Sequence, residues 1–227
     1  MNKVIIISGA SDGLGKRLSE DLSKSNKIIM LARSEEKLKK ISEKNNCDFY
    51  VCDVKNHENV KDTISKIIKK YNKIDVLINN AGIWTQGPLV ETDSETISDV
   101  IDTNTKGTIY LTKEVLQYMT KENDGQIINI ISQAGLYAKE ERSIYTASKW
   151  AITGFTKSIE KEAAKNKIRV TGIYPGKINT QIFEKMGIQK DMSNAIQTEQ
   201  ISKTIDFIIN VDKDISFPEI GIKNINN

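Results

Sequence analysis

Short runs rich in isoleucine and valine recur along the 227 residues, each separated from the next by a longer, charged, amphipathic stretch. Residues 4–8, 27–31, 48–52, 75–79, 126–131 and 169–174 read as strands, with a weaker run near Ile220. None alternates strictly between apolar and polar residues, which is the pattern of strands buried on both faces of a parallel sheet. Between them, residues 35–43, 60–70, 96–119 and 143–164 carry the spacing of amphipathic helices. Strand–helix alternation of this kind implies an α/β fold: a Rossmann-type, doubly wound parallel β-sheet flanked by helices, with right-handed crossovers. No repeat, linker or low-complexity segment interrupts it. Pro88, Pro175 and Pro218 fall in loop-like or edge positions, so residues 1–227 are expected to form a single dinucleotide-binding and catalytic domain.

Charge and composition exclude several functions. Lys plus Arg number 33 against 30 Asp plus Glu, a net +3 with the signs interleaved, so no nucleic-acid partner is expected. No apolar run approaches the roughly 18 residues of a membrane span, and the first run is too short for a signal peptide. Cys47 and Cys52 lie in or beside one strand, cannot build a disulfide framework, and fit a reducing, cytoplasmic setting. The single histidine, His57, has no partner for a zinc site or a histidine-based triad. No metal is expected, and His57 is read as a surface residue at a helix start.

The first strand runs directly into Ser8-Gly9-Ala10-Ser11-Asp12-Gly13-Leu14-Gly15, followed by a helix with apolar Leu18 and Leu22. Glycines at 9, 13 and 15 let a turn close tightly and let a pyrophosphate approach backbone N–H groups at a helix N-terminus. A plain strand-to-helix turn uses glycine too, so this loop alone does not decide the function.

Its company does. Asn79-Asn80-Ala81-Gly82 ends the fourth strand, Asn104 lies in Asp102-Thr103-Asn104-Thr105-Lys106-Gly107, Ser132 ends the fifth strand, and Pro175-Gly176 ends the sixth. Tyr145 follows Ser132 by 13 residues, and Lys149 follows Tyr145 by 4. On a helix, residues four apart share a face, so the ammonium can approach the phenol and favour its ionised form. With the pieces S-G-A-S-D-G-L-G, N-N-A-G, I-I-N-I-I-S, Y-T-A-S-K and P-G-K-I-N-T in order, the chain resembles the short-chain dehydrogenase/reductase family over essentially its whole length.

That resemblance implies an NAD(P)-dependent oxidoreductase moving a hydride between nicotinamide and a small carbonyl or alcohol substrate. It implies Tyr145 as general acid or base, Lys149 as holder of the nicotinamide ribose and tuner of the tyrosine, Ser132 as the group on the substrate oxygen, and Asn104 as holder of a relay water. It assigns Asp53 to the adenine, with Val54 beside it, Asn80, Ala81 and Gly82 to the adenosine side, and Pro175, Gly176, Ile178 and Thr180 to the nicotinamide carboxamide. Ser11, Asp12 and Leu14 join the three loop glycines as cofactor contacts. A dinucleotide-binding sensor on the same fold is the alternative, since fold does not dictate function; it has no need of Tyr145 with Lys149.

NADP(H) is favoured over NAD(H). The position where an acid would bind the ribose 2′-hydroxyl falls on Ala32, leaving Arg33 to meet a 2′-phosphate with Ser34 beside it. Glu35 and Glu36 read as the first turn of the next helix, with Ser34 as its cap. Asp12 opposes this preference, either repelling the phosphate or capping its own helix. The stretches 96–119 and 143–164 are apolar over a wide arc, through Ile109, Leu111, Val115, Leu116, Ala151, Ile152, Phe155 and Ile159, and the resemblance makes them a subunit interface in a homodimer or homotetramer. Residues 177–198, with Ile182, Phe183, Met186, Ile188 and Met192, take the place of a substrate lid. Trp84 and Tyr137 lie on loops near the expected cleft, and the substrate itself is not legible.

Overall fold

The isoleucine-rich runs become seven strands: β1 (Val4–Ser8), β2 (Lys27–Ala32), β3 (Cys47–Val51), β4 (Val76–Asn79), β5 (Gly125–Ile130), β6 (Ile168–Pro175) and β7 (Glu219–Ile222). In the computed structural model, which describes residues 3–184 and 187–226, they pair in parallel as one sheet ordered β3-β2-β1-β4-β5-β6-β7. The helices between them are α1 (Gly13–Leu22), α2 (Glu35–Ser42), α3 (His57–Tyr71), α4 (Ser94–Ile101), α5 (Gly107–Glu122), α6 (Ser143–Ala164) and α7 (Thr198–Asn210).

Successive strand residues serve opposite faces. Ile5 and Ile7 of β1 join Leu18, Leu22, Leu38, Ile201 and Ile205 in one apolar layer, beneath α1, α2 and α7. Val4 and Ile6 join Ile64, Ile67, Leu111, Val115 and Met119 in the other, beneath α3, α5 and α6. Burial on both faces is why the strands carry no alternation. Asn56 caps α3 by accepting from Asn59 N, and left-handed Asn72 (φ 53°) ends it.

Four details differ from the sequence reading. The expected helix 96–119 is two helices joined by a π-turn at Asp102–Lys106, a widening common at functional sites. Helix α7 was not foreseen. Ser132 lies two residues beyond β5, not at its end. His57 begins α3, but its Nε2 is 2.8 Å from Glu114 Oε1 and its ring is 4.9 Å from that of Tyr110, so it is a half-buried bridge to α5. Cys47 and Cys52 are buried free thiols, and burial pushes the Cys47 thiol up to about 11. No described helix is long and apolar enough to cross a membrane.

Candidate active site

The strand order reverses between β1 and β4, and at such a switch point a crevice opens at the carboxyl ends of the strands. Here it is a cleft of about 980 Å³ running from the glycine loop to Tyr145 and on to the segment after β6. Gly9 takes φ +65°, and a Cβ on it would stand 2.7 Å from Ala81 Cα. Asn80 fixes this turn: its Nδ2 donates to Ser8 O (3.0 Å) and Gly9 O (3.3 Å), and its backbone N donates to Ser8 Oγ (3.0 Å). Two segments 70 residues apart thus form one rigid rim.

Of the expected cofactor residues, Gly9, Ser11, Asp12, Gly13, Leu14, Arg33, Ser34, Asp53, Val54, Asn80, Ala81, Gly82, Pro175, Gly176, Ile178 and Thr180 line the cleft. Gly15 does not. It lies beneath the loop, where a Cβ would come within 2.3 Å of Gly9 O, so it acts by letting α1 approach the turn. Asp12 caps α1, accepting from Gly13 N at 2.7 Å, and its other oxygen is 3.3 Å from Lys37 Nζ. Lys37, which the sequence reading passed over, therefore neutralises the carboxylate and lines the same end of the cleft as Arg33. Ser34 stands at the cap position of α2 but makes no side-chain cap bond.

Ser132, Tyr145 and Lys149 meet at the centre of the cleft. Ser132 has φ 152° and ψ 159°, a region nearly exclusive to glycine, and such strain of about 1–3 kcal/mol tends to mark functional positions. Its Oγ accepts from Ala134 N at 3.1 Å, and its hydroxyl acts on the Tyr145 phenol. Lys149 is 7% exposed and donates to Ile130 O at 3.2 Å; burial pulls its ammonium down to about 8. The tyrosine departs from expectation. Lys149 Nζ is 5.8 Å from the ring centroid, and burial, the dominant effect, raises the phenol above its ordinary value, against the opposing influences of Ser132 and Arg142.

Asn104 is 1% exposed and does not line the cleft. From the π-turn its Oδ1 accepts from Ile83 N (2.8 Å), while its Nδ2 donates to Ile83 O (2.9 Å) and Ser148 Oγ (3.0 Å). Ser148 in turn donates to Tyr145 O at 2.7 Å. The Asn104 side chain thus clamps the loop after β4 to the helix bearing Tyr145 and Lys149.

Past Tyr145, the segment between β6 and α7 folds over the cleft mouth. Ile178 and Ile196 form a bridge at its base, and Ile182 and Phe183 line the cleft. Trp84 meets Phe183 edge-on at 4.7 Å and is 4% exposed. Tyr137 lines the mouth and is largely exposed, and Met186 lies outside the described residues. The tight loop, the glycine approach to α1 and the long cleft fit an extended dinucleotide, with its phosphates at the α1 N-terminus.

Residues 3–191 match the short chain dehydrogenase family. The chain is 35% identical over 196 residues to a 3-oxoacyl-(acyl-carrier-protein) reductase of Thermotoga maritima, covering 81% of this chain and 77% of that one. A farnesol dehydrogenase of Aedes aegypti is 31% identical over 236 residues, spanning 98% of this chain and 96% of its own. Among solved structures, ElxO with NADP bound matches with a TM-score of 0.89 at 31% identity, covering 98% of this chain and 97% of that one.

Proposed function

The chain belongs to the short-chain dehydrogenase/reductase family, enzymes that act on CH–OH and C=O groups with NAD(P), and from that premise we propose a carbonyl/alcohol oxidoreductase whose proton is handled by Tyr145. The observation that carries this reading is the meeting of Ser132, Tyr145 and Lys149 in one cleft with the glycine loop. A bound reduced nicotinamide would supply the hydride. Tyr145 donates its proton to the substrate oxygen, and its raised pKa keeps it protonated at neutral pH, the state a general acid needs. Ser132 Oγ hydrogen-bonds the same oxygen as charge develops on it. Lys149 holds the ribose and places a positive charge beside the reacting oxygen, and Asn104 keeps the opposing loop in register. Residues 1–227 act as one domain, and the two buried free thiols suit a reducing cytoplasm.

Screening aldehydes, ketones and alcohols for a change in cofactor absorbance tests the activity. Tyr145→Phe is expected to lower kcat by at least about 10²–10⁴-fold while leaving the Kd for NADPH within error. Turnover near that of the parent would remove Tyr145 from the mechanism.

NADP(H) is the dinucleotide this reading favours. Ala32 ends β2 without an acid, Arg33 and Lys37 present two cations to the adenosine end, and Lys37 offsets the charge of Asp12. The enzyme is further read as a homodimer or homotetramer built on α5 and α6. Helix α6 leaves Trp150 51% exposed beside exposed Ala147 and Ala151. Sedimentation at micromolar concentration is expected to give a multiple of 25.5 kDa, and the monomer mass would refute the assembly.

A further inference from the structure

We propose that the carbonyl substrate carries an anionic group, a carboxylate or a phosphoryl group, held at the outer end of the cleft by Lys190 and Arg142. The inference rests on the oxidoreductase reading above and names the class of its substrate.

Four cations, Lys139, Arg142, Lys177 and Lys190, line the cleft beyond Tyr145, against one carboxylate, Asp191. Lys190 is seated on aromatic faces, its Nζ 4.4 Å from the Trp84 ring centroid and 4.7 Å from that of Phe183, and Arg142 lies 5.9 Å from Trp84. Such seats stabilise a cation without neutralising it. Among the described residues, none of the four has a carboxylate within ion-pairing distance; Lys190 Nζ donates to the amide oxygen of Gln86 at 3.0 Å. Two nearby acids accept hydrogen bonds from neutral groups. Asp191 accepts from Ser193 N and Oγ (2.8 and 2.9 Å), Lys177 reaches the Asp191 backbone oxygen (2.5 Å), and Glu141 accepts from Gln86 Nε2 (3.0 Å). Burial and the charges of Arg142, Lys139 and Lys177 all lower the Lys190 pKa; Asp191, which feels the charge of Lys177, offsets one of the four cations, so this end of the cleft is net positive. A low-dielectric cleft of one sign concentrates ligands of the other.

Position separates this cluster from the cofactor phosphates. The charge of Arg142 acts on Tyr145, whereas that of Arg33 acts on Lys55, beyond β3. Trp84 adjoins Ile83, which Asn104 ties to the Tyr145 helix, so the anion would be held at a set distance from the proton donor. The reaction leaves the anion unchanged. A bound reduced nicotinamide would supply the hydride to the carbonyl carbon and Tyr145 the proton to the oxygen, leaving the oxidised cofactor and an alcohol.

Calorimetric titration of the NADPH-loaded protein compares three alcohols: 4-(hydroxymethyl)benzoate, 4-(hydroxymethyl)phenyl phosphate and the neutral methyl 4-(hydroxymethyl)benzoate. At least one anion is expected to bind about tenfold more tightly than the ester, a difference of about 1.4 kcal/mol. Which anion wins distinguishes carboxylate from phosphoryl recognition. The preference should vanish in Lys190→Met and Arg142→Met, persist in Lys190→Arg, and shrink with added salt. An ester that binds as well as both anions, or a preference untouched in both Met variants, overturns the proposal. Reduction of the matching aldehydes is scored separately. Charge-selective binding without any turnover would leave the anion site standing and sink the oxidoreductase reading instead.

Discussion

Replacing Gly15 with alanine sets two physical effects against each other. Gly15 is the third residue of α1. Helix propensity alone favours alanine over glycine by about 1 kcal/mol. Sterics oppose it, because the new Cβ would stand 2.3 Å from Gly9 O, 2.5 Å from Asn80 Nδ2 and 2.9 Å from Gly9 C. The first and third of these atoms are backbone in a turn with φ +65°, held by Asn80, so no side chain can swing aside to relieve the contact. Overpacking costs about 1–3 kcal/mol, which exceeds or cancels the propensity gain. A net loss of up to about 2 kcal/mol corresponds to a Tm lower by up to about 8 °C in a domain of this size. The displaced element is the phosphate turn itself, so affinity for NADPH should fall by more than about tenfold even where the fold survives. Thermal unfolding of the cofactor-free variant and a fluorescence titration with NADPH measure the two effects. A variant with a higher Tm and unchanged NADPH affinity would show that the contact between α1 and the turn constrains nothing.

The dinucleotide preference predicts a lower Kd for NADPH than for NADH, with the difference cut by Arg33→Ala and by Lys37→Ala; equal affinities, or tighter NADH, would show that the Asp12 carboxylate prevails. Lys149 predicts a pH-dependent trade of stability for function. Folded, its ammonium titrates near 8 against an ordinary value of 10.5, so between those values the unfolded chain binds more protons and stability rises with pH. At neutral pH the buried charge therefore costs stability, up to about 3 kcal/mol. Lys149→Met should raise the Tm of the cofactor-free protein near neutral pH, with a gain that shrinks as pH passes about 8, and should abolish turnover; a lower Tm at neutral pH would refute the buried-charge account.

The parts legible in the sequence are those whose causes are local. Both-face burial writes itself as unbroken Ile/Val runs, and strand boundaries came within a residue or two. The glycine turn, Tyr145 and Lys149 are short-range patterns, and the cleft gathers them together. Asn104 was harder because its partner, the Ile83 backbone, is 21 residues away, and nothing in Asp102–Lys106 announces a π-turn. The upward shift of Tyr145 depends on how much of α6 the rest of the fold covers, which spacing does not report. Helix α7 did carry a signal, with Ile201, Ile205, Ile208 and Ile209 on one stripe, but reading 177–198 as a lid drew attention away from what followed. The cationic mouth had no signal at all: Lys190 and Gln86 are 104 residues apart and meet only through the folded chain.

This division follows from how the two halves of the cleft are built. The cofactor half rests on the ends of β1, β2 and β4, where sheet register sets backbone positions and residue choice is narrow: a Cβ at Gly9 or Gly15 strikes backbone atoms. The substrate half is assembled from the loops after β4, β5 and β6. What couples the halves is Asn104, whose one buried amide joins Ile83, between Gly82 of the cofactor rim and Trp84 of the mouth, to Ser148, between Tyr145 and Lys149 on α6. Breaking that clamp would strip the half-buried Ile83 N–H and C=O of their partner, while Ser148 keeps its bond to Tyr145 O, at a cost of about 1–3 kcal/mol for each group left unpaired. The loop after β4 is thereby held to the catalytic helix through its backbone, so the position of Trp84 at the mouth is tied to that of Tyr145 independently of the side chain at position 83.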